Sequence, residues 1–370
     1  MSDDRTLDAV VAGYLCVDLA PRFPRKAERA DLSQLLRPGS LTEVDGMDTS
    51  LGGVTANTGL AMRRFGRSVE LSALLGKDGM GEMAAGLLEQ RGGAQGVRRV
   101  EKPSTAFSVV IAPPGSDRCF LECPGCNEVF SPESVDWDSV ARARLLHFGY
   151  PTLMHGFYSD GGRNLADMFA RARELGAATS LDTTLLDDES EGGRADWQAI
   201  LETALPRLDV FVPSAEELVR MMAPAEYAKI CGKSGGGDPL EAIPEDLLAK
   251  LAGRILELGV SVLLIKAGSR GALLRTADVS GLCSRTALEL DADWDDLEIR
   301  VPACKMDRDR FVNACGAGDA AVAGFLSAML EGRPAQTAVR LAMIAGRDSL
   351  YGPDALSGLR DWEIMLAEAN

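Results

Sequence analysis

The sequence predicts an α/β fold: a mostly parallel central sheet with helices on both faces, and a small β-sheet standing off it. Three observations carry this. Strand-like and helix-like segments alternate along the 370 residues, the pattern of a parallel sheet buried on both faces. Two stretches, residues 19–50 and 105–122, break the alternation with polar, Pro-rich or hairpin-like sequence. Glycine-rich turns and the acidic residues Asp18 and Asp182 fall just after predicted strands, where open α/β sheets gather ligands.

The elements follow in order. Residues 7–15 are apolar and β-branched, a first strand. Residues 16–50 open the small sheet, with a strand-like piece near 40–44. A helix over 56–65 precedes a strand over 69–75 and a helix over 81–91. Residues 105–112 and 118–122 alternate like strands and are joined by Pro113-Pro114-Gly115-Ser116, which reads as a hairpin turn. Then come strand 144–148, helix 164–175, strand 178–182, helix 197–205 and strand 210–212. Helix 245–258, strands 260–266 and 271–275 and an apolar helix over 320–330 follow. Turn-forming residues mark loops at 187–193 and 231–239. The organisation expected is one α/β domain over 1–370, with the small sheet built from about 16–50 and 104–124.

Composition narrows the function classes. A net charge of −16 argues against nucleic-acid and anionic-membrane binding, which demand a basic face. No apolar run of about 18 residues occurs, so no membrane span is expected. The N-terminus is acidic and leads into a strand, unlike a signal peptide. Eight cysteines without an export signal suggest free thiols in a reducing cytosol. Cys123-Pro-Gly-Cys126 has redox spacing, but Pro124-Gly125 reads as a turn and further metal ligands are scarce. With only two histidines, a Ser-His-Asp hydrolase is disfavoured. Gly232-Lys233-Ser234 lacks the upstream glycine of a phosphate-binding P-loop, because position 227 is Tyr.

The chemistry-bearing segment is Asn313-Ala314-Cys315-Gly316-Ala317-Gly318-Asp319, directly before the apolar helix. Two glycines free the backbone to turn tightly. The helix N-terminus points N–H donors and a partial positive charge at the same spot, an anion hole. That field is expected to favour ionised Asp319, which could then accept a hydroxyl proton. Gly52-Gly53 before Asn57 forms a second glycine-opened helix start, and Asn57 offers a donor and an acceptor for a diol. Asp18 ends the first strand region. Val212-Pro213-Ser214-Ala215-Glu216-Glu217 reads as a capping box, and Lys266-Ala267-Gly268-Ser269-Arg270-Gly271 as a turn between strands.

Together and in this order, these segments and Gly76-Lys77-Asp78-Gly79-Met80-Gly81 resemble the ribokinase-like, or PfkB, family of carbohydrate kinases. The resemblance covers nearly the whole chain. It implies a ribokinase-like three-layer α/β/α sandwich with a small β-sheet lid over the sugar site. It implies ATP-dependent phosphorylation of a sugar or nucleoside hydroxyl, with Asp319 as general base and the Gly316, Ala317 and Gly318 backbone as anion hole. Asp18, Gly52, Gly53 and Asn57 are then expected on the substrate. Ser214, Lys266, Gly268 and Gly271 are expected on the nucleotide, and Glu217 in the outer shell of Mg²⁺. Ser214 stands where the family usually has Asn. Asn313 stands where it usually has an Asp that helps place a monovalent cation, so K⁺ dependence is open at this point. The expected partners are ATP and a small-molecule sugar or nucleoside, with no nucleic acid and no membrane. A homodimer through the lid is allowed, and the expected location is cytoplasmic. Arg22, Arg25, Lys26 and Arg118 near the lid would suit a phosphorylated sugar; a neutral sugar or a nucleoside is the preferred reading.

Two other readings compete. Gly79-Met-Gly81-Glu-Met-Ala84 and Gly316-Ala-Gly318-Asp-Ala-Ala321 satisfy a dinucleotide fingerprint. The first lacks a good central strand ending in a carboxylate about 20 residues on. The second lies too near the C-terminus, so an NAD-dependent dehydrogenase is disfavoured. A non-catalytic sugar- or nucleotide-sensing protein on the same fold is opposed by the retention of Asp319 with both glycines.

Overall fold

The structure, a computed structural model, describes residues 5–24, 37–113, 119–185, 187–234 and 237–370. A nine-stranded sheet runs through the molecule in the order β13-β12-β11-β10-β9-β8-β1-β4-β5. Its strands are β1 (Leu7–Gly13), β4 (Val69–Gly76), β5 (Val97–Val100), β8 (Ala143–Gly149), β9 (Ala178–Leu181), β10 (Val210–Phe211), β11 (Val262–Lys266), β12 (Ala272–Thr276) and β13 (Glu298–Val301). From β5 to β11 the pairings are parallel; β12 and β13 join antiparallel at one edge. β1, β8, β9 and β11 are buried along almost their whole length because both faces are covered.

Helices α1 (Val54–Arg64), α2 (Gly79–Glu89), α3 (Arg163–Glu174), α4 (Trp197–Ala204), α5 (Ala215–Met222), α6 (Pro224–Ser234), α7 (Glu245–Glu257), α8 (Ala317–Leu330), α9 (Ala335–Ser349) and α10 (Trp362–Ala369) are the longer ones. Every residue of α8 from Asp319 to Leu330 is buried. Its sequence is apolar all round because α1 and α9 both pack on it. Gly324 lets α9 come close: a Cβ there would lie 2.8 Å from the Leu341 carbonyl oxygen. No helix among the described residues is long and apolar enough to cross a membrane.

A four-stranded second sheet has the order β3-β2-β6-β7, with β2 (Cys16–Pro21), β3 (Met47–Gly52), β6 (Phe107–Ile111) and β7 (Cys119–Cys123). The 105–112/118–122 hairpin is thus present as β6 and β7, paired antiparallel from Phe107 opposite Cys123 to Ile111 opposite Cys119. Its turn at 114–118, with Arg118, lies outside the described residues, as do Arg25 and Lys26. The strand expected near 40–44 is absent. Those residues form no ladder, and the strand is Met47–Gly52, paired with Cys16–Pro21. Its polar alternation, with Asp48, Ser50 and Gly52 on one face, hid it from a hydrophobicity reading. Residues 231–234, expected as loop, complete α6, so Gly232-Lys233-Ser234 is a helix end. Val97–Val100, a poor candidate for a central strand, is an edge strand on β4. Cys123 and Cys126 are both free thiols, and buried Cys126 Sγ donates to the Leu74 carbonyl.

Candidate active site

The sheet order places β4 and β5 on one side of β1 and β8 to β11 on the other. The chain reverses direction of growth between β1 and β8, and a crevice at such a switch point is where open α/β sheets bind ligands. Tyr14 follows β1 and Tyr150 follows β8; their ring centroids are 6.3 Å apart.

Asp319 lies in the first turn of α8, behind the left-handed N-cap Gly316 at φ 74°. It is 6% exposed. Asn57 Nδ2 donates to its Oδ2 at 2.9 Å, and the Tyr150 hydroxyl donates to its Oδ1. Thr58 Oγ1 reaches the same carboxylate at 3.5 Å. Burial raises the Asp319 pKa above the usual carboxylate range, while Tyr150, Asn57, Lys266 and Thr58 oppose it. The helix field is expected to favour the ionised acid, and burial acts in the opposite direction. Burial and the neighbouring carboxylates raise the Tyr150 phenol far above its ordinary range, so it stays a donor.

Behind Asp319 lies a buried polar group. Lys266, at the end of β11, places Nζ 2.8 Å from Oδ1 of Asp182, which follows β9. Glu217 Oε2 accepts from Ser214 N and Thr183 Oγ1, each at 2.9 Å. The Ser214–Glu217 capping box at the start of α5 is therefore formed. Burial raises Asp182 and Glu217, and Lys266 opposes it in both. Attraction to the carboxylates holds the Lys266 ammonium above its ordinary pKa despite its burial. Three carboxylates around one ammonium leave an excess of negative charge that an added cation would offset.

The glycines divide into two kinds. A Cβ on Gly316 would lie 2.3 Å from Ala355 Cβ, and one on Gly271, at φ 91°, would lie 2.0 Å from the Val301 carbonyl oxygen. The fold itself requires both. Gly268 and Gly271 shape the turn between β11 and β12. Gly318 is different: its nearest neighbour would be Lys266 Nζ at 3.8 Å. Its missing side chain opens space between the first turn of α8 and the Lys266 ammonium.

On the small sheet, Asp18 points toward Gly52, where a Cβ would sit 2.4 Å from Asp18 Oδ2. Burial, with the charges of Glu122 and Asp319, pushes Asp18 up to about 6 against a Cys16 thiol bond that lowers it. Gly53 caps α1 at φ 83° beside the Tyr14 carbonyl. Asn313 Oδ1 accepts from Cys315 N at 2.7 Å, and its Nδ2 donates to the carbonyls of Gly352 and Pro353 at 3.1 and 2.9 Å. Its amide thus spends donors, not acceptors, on the loop after α9. Asp78 caps α2 and also accepts from Thr105 N at 2.7 Å, tying the Gly76–Gly81 run to the start of the β6 segment.

Asn57, Asp319, Lys266 and Glu217 converge as a set. Asp18 shares the space in front of Asp319, whereas Gly268, Gly271 and Asn313 lie in loops around it. Tyr150, Asp182, Thr58 and Thr183 were not singled out as site residues by sequence. Asp182 was visible only as an acid at a strand end; Tyr150 carries no local signal.

Residues 11–348 match the model of the pfkB family of carbohydrate kinases. The chain belongs to this family. A probable chloroplastic fructokinase-6 of Arabidopsis thaliana is 26% identical over 294 residues, covering 78% of this chain and 64% of that protein. The match therefore spans less than two thirds of that relative's length. An uncharacterized sugar kinase of Archaeoglobus fulgidus is 22% identical over 301 residues, 81% of this chain and 98% of that protein. Among solved structures, an Arabidopsis thaliana ribokinase complexed with ribose and ATP superposes with a TM-score of 0.70 at 20% identity, over 98% of this chain and 99% of that one. A Xylella fastidiosa fructokinase with bound ATP gives 0.67 at 17% identity, over 97% of each chain. These structures share the fold of this pfkB-family chain.

Proposed function

We propose that this chain transfers the γ-phosphoryl group of ATP to a hydroxyl of a sugar or nucleoside, with Asp319 as the general base. One observation carries the reading. Asp319 is buried with both carboxylate oxygens held, one by Asn57 and one by Tyr150, at a helix start whose first N–H groups have no intrahelical acceptor. A carboxylate fixed in this way takes a proton from a hydroxyl presented to it, without paying to reorganise.

The Gly316, Ala317 and Gly318 backbone supplies the anion hole, and the opening at Gly318 lets phosphoryl oxygens reach both the helix start and Lys266 Nζ. Lys266 is held in place by Asp182, so its charge is oriented before a nucleotide arrives. Ser214 and the turn at Gly268 and Gly271 border the nucleotide end. The small sheet closes over the sugar as a lid within a single domain, excluding water that would waste ATP. Mg²⁺ fits this donor set through the phosphates, with Glu217 behind it: the excess negative charge suits a divalent cation, and Mg²⁺ binds through few carboxylates plus substrate phosphates. When bound, Mg²⁺ supplies neutralisation of phosphate charge.

The test is ADP release against a panel of sugars, nucleosides and sugar phosphates, with Asp319→Asn beside the unaltered chain. Turnover of at least one acceptor, falling roughly 10²-fold or more in the variant with ATP affinity nearly kept, is the expected result. Near-normal turnover in Asp319→Asn would remove the proposed base.

A further inference from the structure

We propose that Glu122 is a specificity residue for the sugar: with Asp18 it lines the pocket face of the small sheet, accepts hydrogen bonds from the hydroxyls of an uncharged sugar, and rejects sugars bearing phosphate or carboxylate. This rests on the kinase reading and names the substrate class of that same site.

The ladder registers make the argument. Asp18 lies opposite Ser50 on β3 and opposite Ser108 on β6. Ser108 lies opposite Glu122 on β7. Residues directly opposite one another share a face of the sheet. Ser50, Asp18, Ser108 and Glu122 thus form one polar row across all four strands. That row lies beside the base: Tyr14, whose hydroxyl donates to Glu122, sits 6.3 Å ring to ring from Tyr150, whose hydroxyl donates to Asp319, and the charges of Glu122 and Asp319 both act on Asp18. Gly52, beside Asp18 on the same face, makes room for the Asp18 carboxylate, which lies 2.4 Å from where a Cβ would stand.

Two features mark the row as built for a ligand. Ser108 is 3% exposed, yet its Oγ has no partner at full hydrogen-bond geometry, although it lies near enough to Glu122 to lower that acid's pKa. Set against Glu122 in this way, the Ser108 hydroxyl helps to fix that acid's position in the row. Glu122 is also held: the buried Tyr14 hydroxyl donates to its Oε1. An oriented carboxylate has several acceptor sites and no donor, which suits a vicinal pair of hydroxyls.

The charge of the row sets what it refuses. A phosphate or carboxylate on the substrate would meet Asp18, Glu122 and Asp319 together. Arg22, the basic residue at the end of β2, is paired with Asp48 at 2.8 Å on the exposed part of the sheet. Like charges brought together out of water repel strongly enough to decide specificity.

The experiment uses the full chain and two readouts. Calorimetry without nucleotide measures binding of fructose, ribose, their monophosphates and gluconate; ADP release measures turnover of the same panel. A neutral sugar should bind at least 10-fold tighter than its monophosphate or the sugar acid. Glu122→Gln keeps the shape and a Tyr14 partner, and should weaken the neutral sugar about 10-fold in Kd and KM with kcat within about three-fold. Glu122→Arg should shift the preference toward the monophosphate or the acid. Tighter binding of an anionic sugar by the unaltered chain, an unchanged neutral-sugar Kd in Glu122→Gln, or no binding of any neutral sugar overturns the proposal. Sugar binding that responds to Glu122 without any ADP release would instead fail the kinase reading while upholding this one.

Discussion

At the scale of single residues, the acids of the site are set by burial more than by their hydrogen bonds. Asp319 is raised by burial even though Tyr150 and Asn57 both donate to it. A base must be ionised to act, so kcat should rise with pH through this raised value. Tyr150→Phe removes a donor that favours the charged form. The acid limb of the kcat profile should therefore move to higher pH, and an unmoved limb would show that the hydroxyl does not act on the base. Asp18, pushed up to about 6, gives a second signature. Its ionised form accepts sugar hydroxyls, so sugar KM should climb as pH falls below about 6 and should lose that dependence in Asp18→Asn. Asp319, Asn57 and Lys266 were legible because each sits in a glycine-marked segment or at a strand end. Tyr150 was not. It follows β8 in the plain sequence Gly149-Tyr150-Pro151, and only the parallel pairing of β8 with β1 carries it to the base.

At the scale of elements, the start of α8 separates glycines the fold needs from one it does not. Gly316→Ala must adopt φ 74° and meets Ala355. The left-handed backbone alone costs about 1–2 kcal/mol, so a clear fall in Tm is expected. Gly318→Ala meets nothing closer than Lys266 Nζ at 3.8 Å. As a helix residue Ala is favoured over Gly by up to about 1 kcal/mol. Tm should hold or rise while kcat falls about 10-fold or more, because the methyl fills the opening assigned to phosphoryl oxygens. A Gly318→Ala enzyme with full activity would place the phosphoryl group elsewhere. Asn313 belongs to the same loop. Its Nδ2 donates to the Gly352 and Pro353 carbonyls, so an amide hydrogen stands where a cation would need oxygen ligands. K⁺ should activate little more than Na⁺ or a bulky organic cation at matched ionic strength. Asn313→Asp sets a carboxylate against those carbonyls and should create dependence on K⁺; strong K⁺ activation of the unaltered chain would contradict this. Although α6, α9 and α10 went unread, the other longer helices and the buried strands were legible through their period and caps. β3 and β13 were not, because polar alternation on a strand resembles loop, and edge strands carry little apolar signal.

At the scale of the whole molecule, the fold class was legible because alternation of strand and helix constrains topology strongly. The row Ser50–Asp18–Ser108–Glu122 was not, because its members come from four separate strands and depend on register. A one-residue slip would turn each side chain to the other face. The global charge has a consequence of its own. A chain of net charge −16 repels nucleotide triphosphate at long range, while Lys266 and the start of α8 attract it only within the crevice. Salt shortens the reach of the repulsion, from about 30 Å at 10 mM to about 8 Å at 150 mM. It screens buried, close contacts much less. The KM for ATP at saturating Mg²⁺ should therefore fall, by roughly two-fold or more, as ionic strength rises over that range. Sugar KM should stay flat if the acceptor is uncharged. A KM for ATP that instead rises with salt would mean that a positive field steers the nucleotide, and that the acidic surface lies away from its path.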